Sequence, residues 1–225
     1  MGILGGQLYA GPARSPKTSD AFSLKELVTV VVVAGLLIGV GMALFGRARQ
    51  RARSICCNCN LKQIGLGFKT WALDHRNLFP MSVSTDSGGT SEYIANGGVF
   101  RHFAVMSNEL STPVILACPD DSREPAKSFD RSFSNTNISY FVGIDARDNE
   151  PQMFLSGDRN ITSGTRLANG LLELTTNNVV GWSPSIHRGF GNIALADGSV
   201  QQFDALHLRD GLKWTGAVTN RLAML

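Results

Sequence analysis

The four cysteines have the most varied chemistry in this chain, because a thiolate can bind a metal or form a disulfide. Cys56, Cys57 and Cys59 lie close together, and Cys118 follows much later in the sequence. Zinc sites usually combine two pairs of ligands, with two to four residues between the members of a pair. A single cysteine follows the first three, so spacing alone leaves open a metal site of all four, a disulfide and free thiols.

His187 and Asp197 form a second candidate pair, since a histidine and an aspartate can exchange a proton or bind a metal together. No third ligand stands at a suitable spacing, and the sequence contains no Gly-x-Ser-x-Gly nucleophile motif. Asp197-Gly198 instead separates two runs with alternating apolar residues. Such a dipeptide favours a β-hairpin closed by a type I′ turn, in which both central residues have positive φ. We therefore predict a hairpin here.

Asp158, Arg159 and Asn160 are consecutive, and an aspartate beside an arginine also occurs in catalytic sites. Because Asp and Asn side chains commonly hydrogen-bond nearby backbone groups, we predict a turn at this segment. The other patterns in the sequence do not indicate a catalytic group or a cofactor. We therefore expect a protein that is not an enzyme and that has neither a cofactor nor a bound metal.

The longest apolar segment runs from Leu27 to Phe45 and contains no charged residue. As an α-helix it would be about 28 Å long, which matches the hydrocarbon core of a bilayer. We predict a membrane-spanning helix. The alternatives are a buried helix of a soluble protein and a secretory signal peptide cleaved after Ala43, although the segment is longer than the apolar region of most signal peptides.

Helical periodicity continues beyond this segment. Apolar residues recur there at alternating spacings of four and three, which places them on one face of a helix. These residues are Cys57, Leu61, Ile64, Phe68 and Trp71. The residues before Pro80 predict a helix end between Asp74 and Asn77. We expect one long helix whose second half buries this stripe against a globular domain.

The rest of the chain contains short segments typical of an α+β domain. Strands are predicted at Pro113–Ala117, Ser139–Ile144 and Pro151–Leu155 from their β-branched and aromatic residues. A short helix is predicted at Phe100–Leu110. The polar, glycine-rich segment Met81–Gly98 predicts a surface loop.

Much of the positive charge is concentrated between Gly46 and Arg53, although the net charge is only +3. The four arginines of this segment have no aromatic residues between them, so we do not expect a nucleic-acid interface. Beside a membrane helix they are more typical of contacts with anionic lipid headgroups. By the positive-inside tendency they would lie in the cytoplasm.

The segment AFSLKE, which begins at Ala21 and precedes the apolar run, resembles the leader junction of type IV prepilins. In that family a prepilin peptidase cleaves after a small residue, usually Gly, and methylates the new N-terminal amine. The resemblance implies cleavage after Ala21, with Phe22 as the new N-terminus. It also implies that Glu26 pairs with the N-terminal amine of a neighbouring subunit, because opposite charges near an apolar phase stabilise each other.

Further segments are similar to a subgroup of pseudopilin-like proteins. They are a cysteine before Asn60-Leu61-Lys62-Gln63, the run Cys118-Pro119-Asp120, the run Gly157-Asp158-Arg159-Asn160, and a C-terminal H-X9-DG signature formed by His187, Asp197 and Gly198. The resemblance implies a disulfide between Cys57 and Cys118. Cys57 also belongs to the apolar stripe that we expect to face the globular domain. Closing so long a loop would stabilise the fold by about 4 kcal/mol in the chain-entropy model.

The resemblance implies a pilin-like α+β fold, in which a long N-terminal helix packs against a small antiparallel β-sheet head. It divides the chain into a leader at 1–21, a transmembrane half-helix at 22–45, an extramembrane half-helix at 46–76 and a globular head at 77–225. The protein would cross the inner (cytoplasmic) membrane once, with its head in the periplasm. This orientation is opposite to the one that the positive-inside tendency favours.

The function implied is that of a structural subunit of a type II secretion or type IV pilus-like system, assembled through its N-terminal helix. Its partners would be the prepilin peptidase, other pilin-like subunits and membrane lipid. The alternative is a non-polymerising, single-pass envelope protein whose periplasmic head binds a ligand such as a polysaccharide. The N-terminus of the native protein separates these two functions, because only the first requires loss of the leader.

Overall fold

A computed structural model describes residues 23–162, 165–166 and 170–224. The described residues divide into two units, one that ends at Gly46 and one that begins at Arg47. The predicted α+β class is confirmed, because a long N-terminal helix is combined with an antiparallel sheet.

Helix α1 begins at Leu24 and ends at Asp74. At its start, the carboxylate of Glu26 accepts hydrogen bonds from the backbone N–H and the hydroxyl of Ser23, each at 2.9 Å. The first N–H groups of a helix have no partner within the helix, and a carboxylate three residues after the cap residue can accept a hydrogen bond from one of them. By length and composition α1 is sufficiently long and apolar to cross a membrane.

In the second unit, α1 buries the stripe that the periodicity predicts. The buried residues are Cys57, Leu61, Ile64, Phe68 and Trp71. They belong to one core together with residues from the sheet and from the short helices. The helix ends within the predicted range, and Arg76 and Asn77 then take left-handed φ angles of 59° and 60°.

Short helical segments connect α1 to the sheet. Helices α2 (Val99–Ala104) and α3 (Ser107–Leu110) lie where the sequence predicts one short helix. The strand predicted at Pro113–Ala117 is wrong, because Pro113–Leu116 forms a 3₁₀ helix. A proline suits a first helical turn, since its φ is fixed and it has no N–H to leave unpaired. The other 3₁₀ segments are Pro80–Ser82, Thr85–Ser87, Ser91–Asn96 and Asn135–Asn137.

The strands of the described residues form two antiparallel sheets. They are β1 (Tyr140–Gly143), β2 (Phe154–Asp158), β3 (Ile161–Thr162), β4 (Thr165–Arg166), β5 (Leu171–Thr175), β6 (Gly181–Trp182), β7 (Gly191–Leu195), β8 (Val200–Phe203) and β9 (Thr219–Ala223). The larger sheet has the order β4-β5-β9-β1-β2-β7-β8, and β3 pairs with β6. The strand predicted at Ser139–Ile144 is confirmed as β1, whereas the one predicted at Pro151–Leu155 begins later, at Phe154.

Successive side chains along β1 pack alternately into two different hydrophobic cores. Tyr140 and Val142 of β1 pack in the core that contains the α1 stripe, whereas Phe141 packs in the second core. Leu208 of α4 (Ala205–Trp214) belongs to this second core. Because successive side chains of a strand point to opposite faces, both faces of the sheet are covered, one by α1 and the other by α4.

Strands β7 and β8 form the hairpin predicted at Asp197-Gly198. Gly198 has a φ of 87°, but Asp197 does not lie in the left-handed region. The carbonyl of Leu195 accepts a hydrogen bond from the N–H of Gly198 at 2.9 Å. The predicted type I′ turn is therefore wrong, and the loop is the longer type in which a left-handed glycine follows the turn.

Candidate functional site

His187 lies in the loop before β7 and not in the β7–β8 hairpin. His187, Arg188 and Gly189 have consecutive positive φ angles of 52°, 53° and 90°. Residues other than glycine rarely adopt this conformation, so surrounding contacts must stabilise the loop.

Asn160 supplies these contacts. Its side-chain amide donates hydrogen bonds to the carbonyls of Ser183, Ile186 and Phe190, at 2.8, 3.0 and 3.3 Å. The turn predicted at Asp158–Asn160 is therefore wrong. Asp158 ends strand β2, and the side chains of this segment bind distant parts of the chain and not the local backbone.

A buried disulfide joins α1 to the segment that follows the 3₁₀ helix. It links Cys57 to Cys118, which are 61 positions apart in the sequence, and both residues are buried. Cys56 and Cys59 are exposed, free thiols. The four cysteines therefore do not form the metal site that spacing alone left open.

The imidazole of His187 lies against this disulfide. Its Nε2 is 3.4 Å from Sγ of Cys118 and 3.4 Å from Oδ2 of Asp158. Its Nδ1 is 3.3 Å from Oδ2 of Asp120 but makes no hydrogen bond with it. The same oxygen accepts a hydrogen bond from the backbone N–H of His187 at 3.1 Å. Burial lowers the pKa of His187, although the carboxylate of Asp120 opposes this shift. Burial therefore favours the neutral imidazole.

Asp158 is fully buried beside this imidazole. Its Oδ2 accepts hydrogen bonds from the backbone N–H and the side-chain amide of Asn192, at 2.7 and 2.9 Å. Its Oδ1 has no hydrogen-bond partner in the part of the chain that the structure describes. Burial raises the pKa of Asp158 to about 7, although the hydrogen bonds from Asn192 oppose this shift.

Ion pairs with arginines surround the site. Asp121 accepts two hydrogen bonds from the guanidinium of Arg159, each at 2.8 Å. Burial raises the pKa of Asp121, but the hydrogen bonds from Arg159 and other groups outweigh burial and leave this pKa below its usual value. Arg53 of α1 lies 3.9 Å from Asp120. These contacts connect α1, the segment after Cys118 and the end of β2.

The arrangement can hold a proton and fix several segments together. The imidazole of His187 and the carboxyl of Asp158 are close to proton-transfer distance. The two sulfur atoms are bonded to each other, so in this state neither is a thiolate nucleophile or a metal ligand. A cleft lined by Ser54, Asp120, His187 and Phe190 borders the site.

The remaining residues singled out from the sequence lie elsewhere. Ala21 and Phe22, at the predicted cleavage site, lie outside the described residues. Glu26 contacts Ser23 at the start of α1, and its pairing with a neighbouring subunit stays a prediction. Asp197 and Gly198 form the turn between β7 and β8.

Sequence reasoning missed Asp120 and Asp158 as partners of His187. Both lie in segments that the sequence had marked for other reasons, the Cys118-Pro119-Asp120 run and the Gly157–Asn160 run. Their occurrence together with the H-X9-DG signature is the signal from which a shared site could have been inferred.

Comparison of the chain with protein-family models, curated proteins and solved structures gave no match. The function is therefore inferred from the residues of the chain itself.

Proposed function

We propose that the chain is a membrane-anchored, pseudopilin-like structural subunit of a type II secretion or type IV pilus-like system. The observation that carries this proposal is one helix with two different halves. Between Leu27 and Phe45, α1 is uncharged and its large apolar side chains are exposed. Between Cys57 and Trp71, the same helix buries an apolar stripe in the core of an α+β unit. Such a helix suits both a membrane anchor and the spine of a globular head.

The first half of α1 favours a lipid environment. The side chains of Leu36, Ile38 and Phe45 are 67%, 63% and 76% exposed. Each apolar side chain of this size gains about 1.5 to 3 kcal/mol when it leaves water. We propose a single-pass protein of the cytoplasmic membrane with a periplasmic head. The buried Cys57–Cys118 disulfide supports this location of the head, because disulfides persist in oxidising compartments.

The N-terminus of the native protein tests the proposal. Intact-mass measurement should show loss of residues 1–21 and a methylated Phe22. The variant Ala21→Leu, which places a large residue at the cleavage site, should keep the leader and still insert into the membrane. A native protein that retains residues 1–21 would refute processing and favour the non-polymerising envelope protein.

Assembly is proposed to depend on the charge of Glu26 and not on its contact with Ser23. Glu26→Gln keeps an oxygen that can accept the hydrogen bonds of Ser23 but removes the charge that would pair with a neighbouring amine. Ser23→Ala removes the hydroxyl contact and keeps the charge. In a cross-linking assay of filament incorporation, Glu26→Gln should fail and Ser23→Ala should succeed. Equal incorporation of both variants contradicts the pairing.

The exposed thiols of Cys56 and Cys59 report the side of the membrane on which the head lies. A membrane-impermeant maleimide should label them in cells whose outer membrane has been made permeable but whose inner membrane is intact. The double variant Cys56→Ser/Cys59→Ser is the control and should not be labelled. Labelling only after lysis of the inner membrane places the head in the cytoplasm and contradicts the proposed orientation.

A further inference from the structure

We propose that reduction of the Cys57–Cys118 disulfide converts the cluster around His187 into a zinc site. The ligands are the two thiolates and Nε2 of His187, and the fourth position is open to water. The position would therefore hold either a disulfide or a metal. This inference does not depend on the function proposed above.

The spacing of the ligand atoms carries the inference. In a tetrahedral zinc site with bonds of about 2.0 to 2.3 Å, neighbouring ligand atoms are about 3.3 to 3.8 Å apart. Nε2 of His187 lies 3.4 Å from Sγ of Cys118. The ligand atoms of Cys57, Cys118 and His187 all lie within 4.8 Å of one another. Once the S–S bond is broken, a small rotation can bring the Cys57 sulfur to the required spacing.

The carboxylate of Asp158 is an independent sign of a missing partner. It is fully buried, and its Oδ1 has no hydrogen-bond partner among the described residues. An unpaired buried acceptor costs about 1 to 3 kcal/mol. Asn192 holds only the other oxygen, so the carboxylate is oriented by a neighbour and still has an oxygen that can accept a hydrogen bond from a water bound to the metal.

The surroundings of His187 match those of a metal-binding histidine. Such histidines usually direct the second ring nitrogen towards a carboxylate or a carbonyl, which fixes the tautomer. Here Nδ1 lies 3.3 Å from Oδ2 of Asp120, a distance from which a small movement would form this hydrogen bond, and Nε2 faces the sulfur of Cys118. Asn160 holds the strained loop that carries this imidazole. The ligand is therefore positioned before any metal binds.

The chemistry balances with an external reductant of the phosphine or dithiol class. The S–S bond breaks, the sulfurs gain two electrons and two protons, and the phosphine becomes its oxide with water as the oxygen source, or the dithiol becomes a disulfide. Each thiol then releases a proton when its sulfur binds Zn²⁺. The two positive charges of the ion are balanced by the two thiolates.

The experiment uses the full-length chain in detergent with Cys56→Ser/Cys59→Ser, which removes the exposed thiols as competing ligands. After reduction with a phosphine and removal of the phosphine, Zn²⁺ is titrated against a chromophoric chelator. We expect one zinc ion per reduced chain and none per oxidised chain. Co²⁺ in place of zinc should give the absorption bands of a tetrahedral site with thiolate ligands.

Single substitutions then test the ligand His187 and the neighbouring carboxylate of Asp158. His187→Gln and Asp158→Asn should each weaken zinc binding at least tenfold, after circular dichroism has shown that the oxidised variants are folded. Where either fails to fold, Asp120→Asn serves instead, because it changes the carboxylate beside Nδ1 and not a ligand; it should also weaken zinc binding about tenfold, and unchanged affinity counts against the site. Asp148→Asn, whose carboxylate contacts Lys69, is the control and should leave the affinity nearly unchanged.

Three results would overturn the inference. The first is a reduced chain that binds no zinc. The second is an oxidised chain that binds zinc as tightly as the reduced one. The third is unchanged affinity in both His187→Gln and Asp158→Asn, which would mean that zinc binds to thiols of a chain that has lost this site.

Discussion

Acid should destabilise this protein through His102, a histidine of α2 that lies apart from the candidate site. Its side chain is buried, and its Nδ1 is 2.7 Å from the hydroxyl of Thr90, which is also buried. Burial lowers the pKa of His102 from 6.5 to about 4. The folded protein therefore keeps this imidazole neutral at a pH at which the unfolded chain has already bound a proton.

The direction and the size of the effect follow from this difference in pKa. Below pH 6.5 the unfolded state takes up a proton that the folded state does not, so the free energy of unfolding falls with falling pH. Relative to pH 8, the loss due to His102 is about 2 kcal/mol at pH 5 and about 3 kcal/mol at pH 4. Below pH 4 the loss approaches a limit of about 3.4 kcal/mol, because the folded state then also binds the proton.

The assay must isolate His102, because other groups titrate in the same range. The raised pKa of Asp158 acts in the opposite direction and stabilises the fold as the pH falls. Chemical denaturation in detergent should therefore be measured for wild type and His102→Gln from pH 8 to pH 4. The free energy of unfolding of wild type minus that of the variant should fall by about 3 kcal/mol over this range.

A control and a refuting result complete the design. His207→Gln removes an exposed imidazole. It is the control for effects of replacing a histidine that do not depend on burial. A difference between wild type and His102→Gln that stays constant with pH would show that burial does not suppress protonation of His102.

Glycines provide the remaining predictions. Gly65→Ala should raise the free energy of unfolding by about 1 kcal/mol, because the new Cβ makes only ordinary contacts. Gly67→Ala should gain less, since its Cβ would lie 2.7 Å from Cδ2 of Leu110; a larger gain contradicts the packing. Gly143→Ala should cost at least about 3 kcal/mol, because its Cβ would lie 1.7 Å from the carbonyl oxygen of Phe154. Urea denaturation measures all three, and a mild effect at Gly143 contradicts the β1–β2 geometry.

The helix and the hairpin were predictable because their signals are local. The spacing of apolar residues from Cys57 to Trp71 matches the period of a helix, and the buried stripe follows from that period. Asp197-Gly198 marks the hairpin because glycine adopts a left-handed φ at little cost. The turn type was not predictable, since it depends on a register that the whole sheet sets.

The 3₁₀ helix was not predictable from the strand propensities of its residues, and the contacts of the site were not predictable from local spacing. At Pro113–Leu116 the β-branched residues favour a strand, but the proline and the cap by Thr112 outweigh them. The site joins Cys118, Asp158 and His187, which are far apart in sequence. No local spacing encodes such contacts, because they arise only when the sheet brings the end of β2 beside the loop before β7.

The place of β9 in the sheet sets an order on biosynthesis. Among the described strands, β4 and β5 join the rest of the larger sheet only through β9, which lies between β5 and β1. The ribosome makes β9 after the other described strands, so Thr219–Ala223 must emerge before the two parts of the sheet can pair. A nascent chain stalled before Thr219 would expose the pairing edges of β5 and β1, and this would make it a substrate for quality-control proteases.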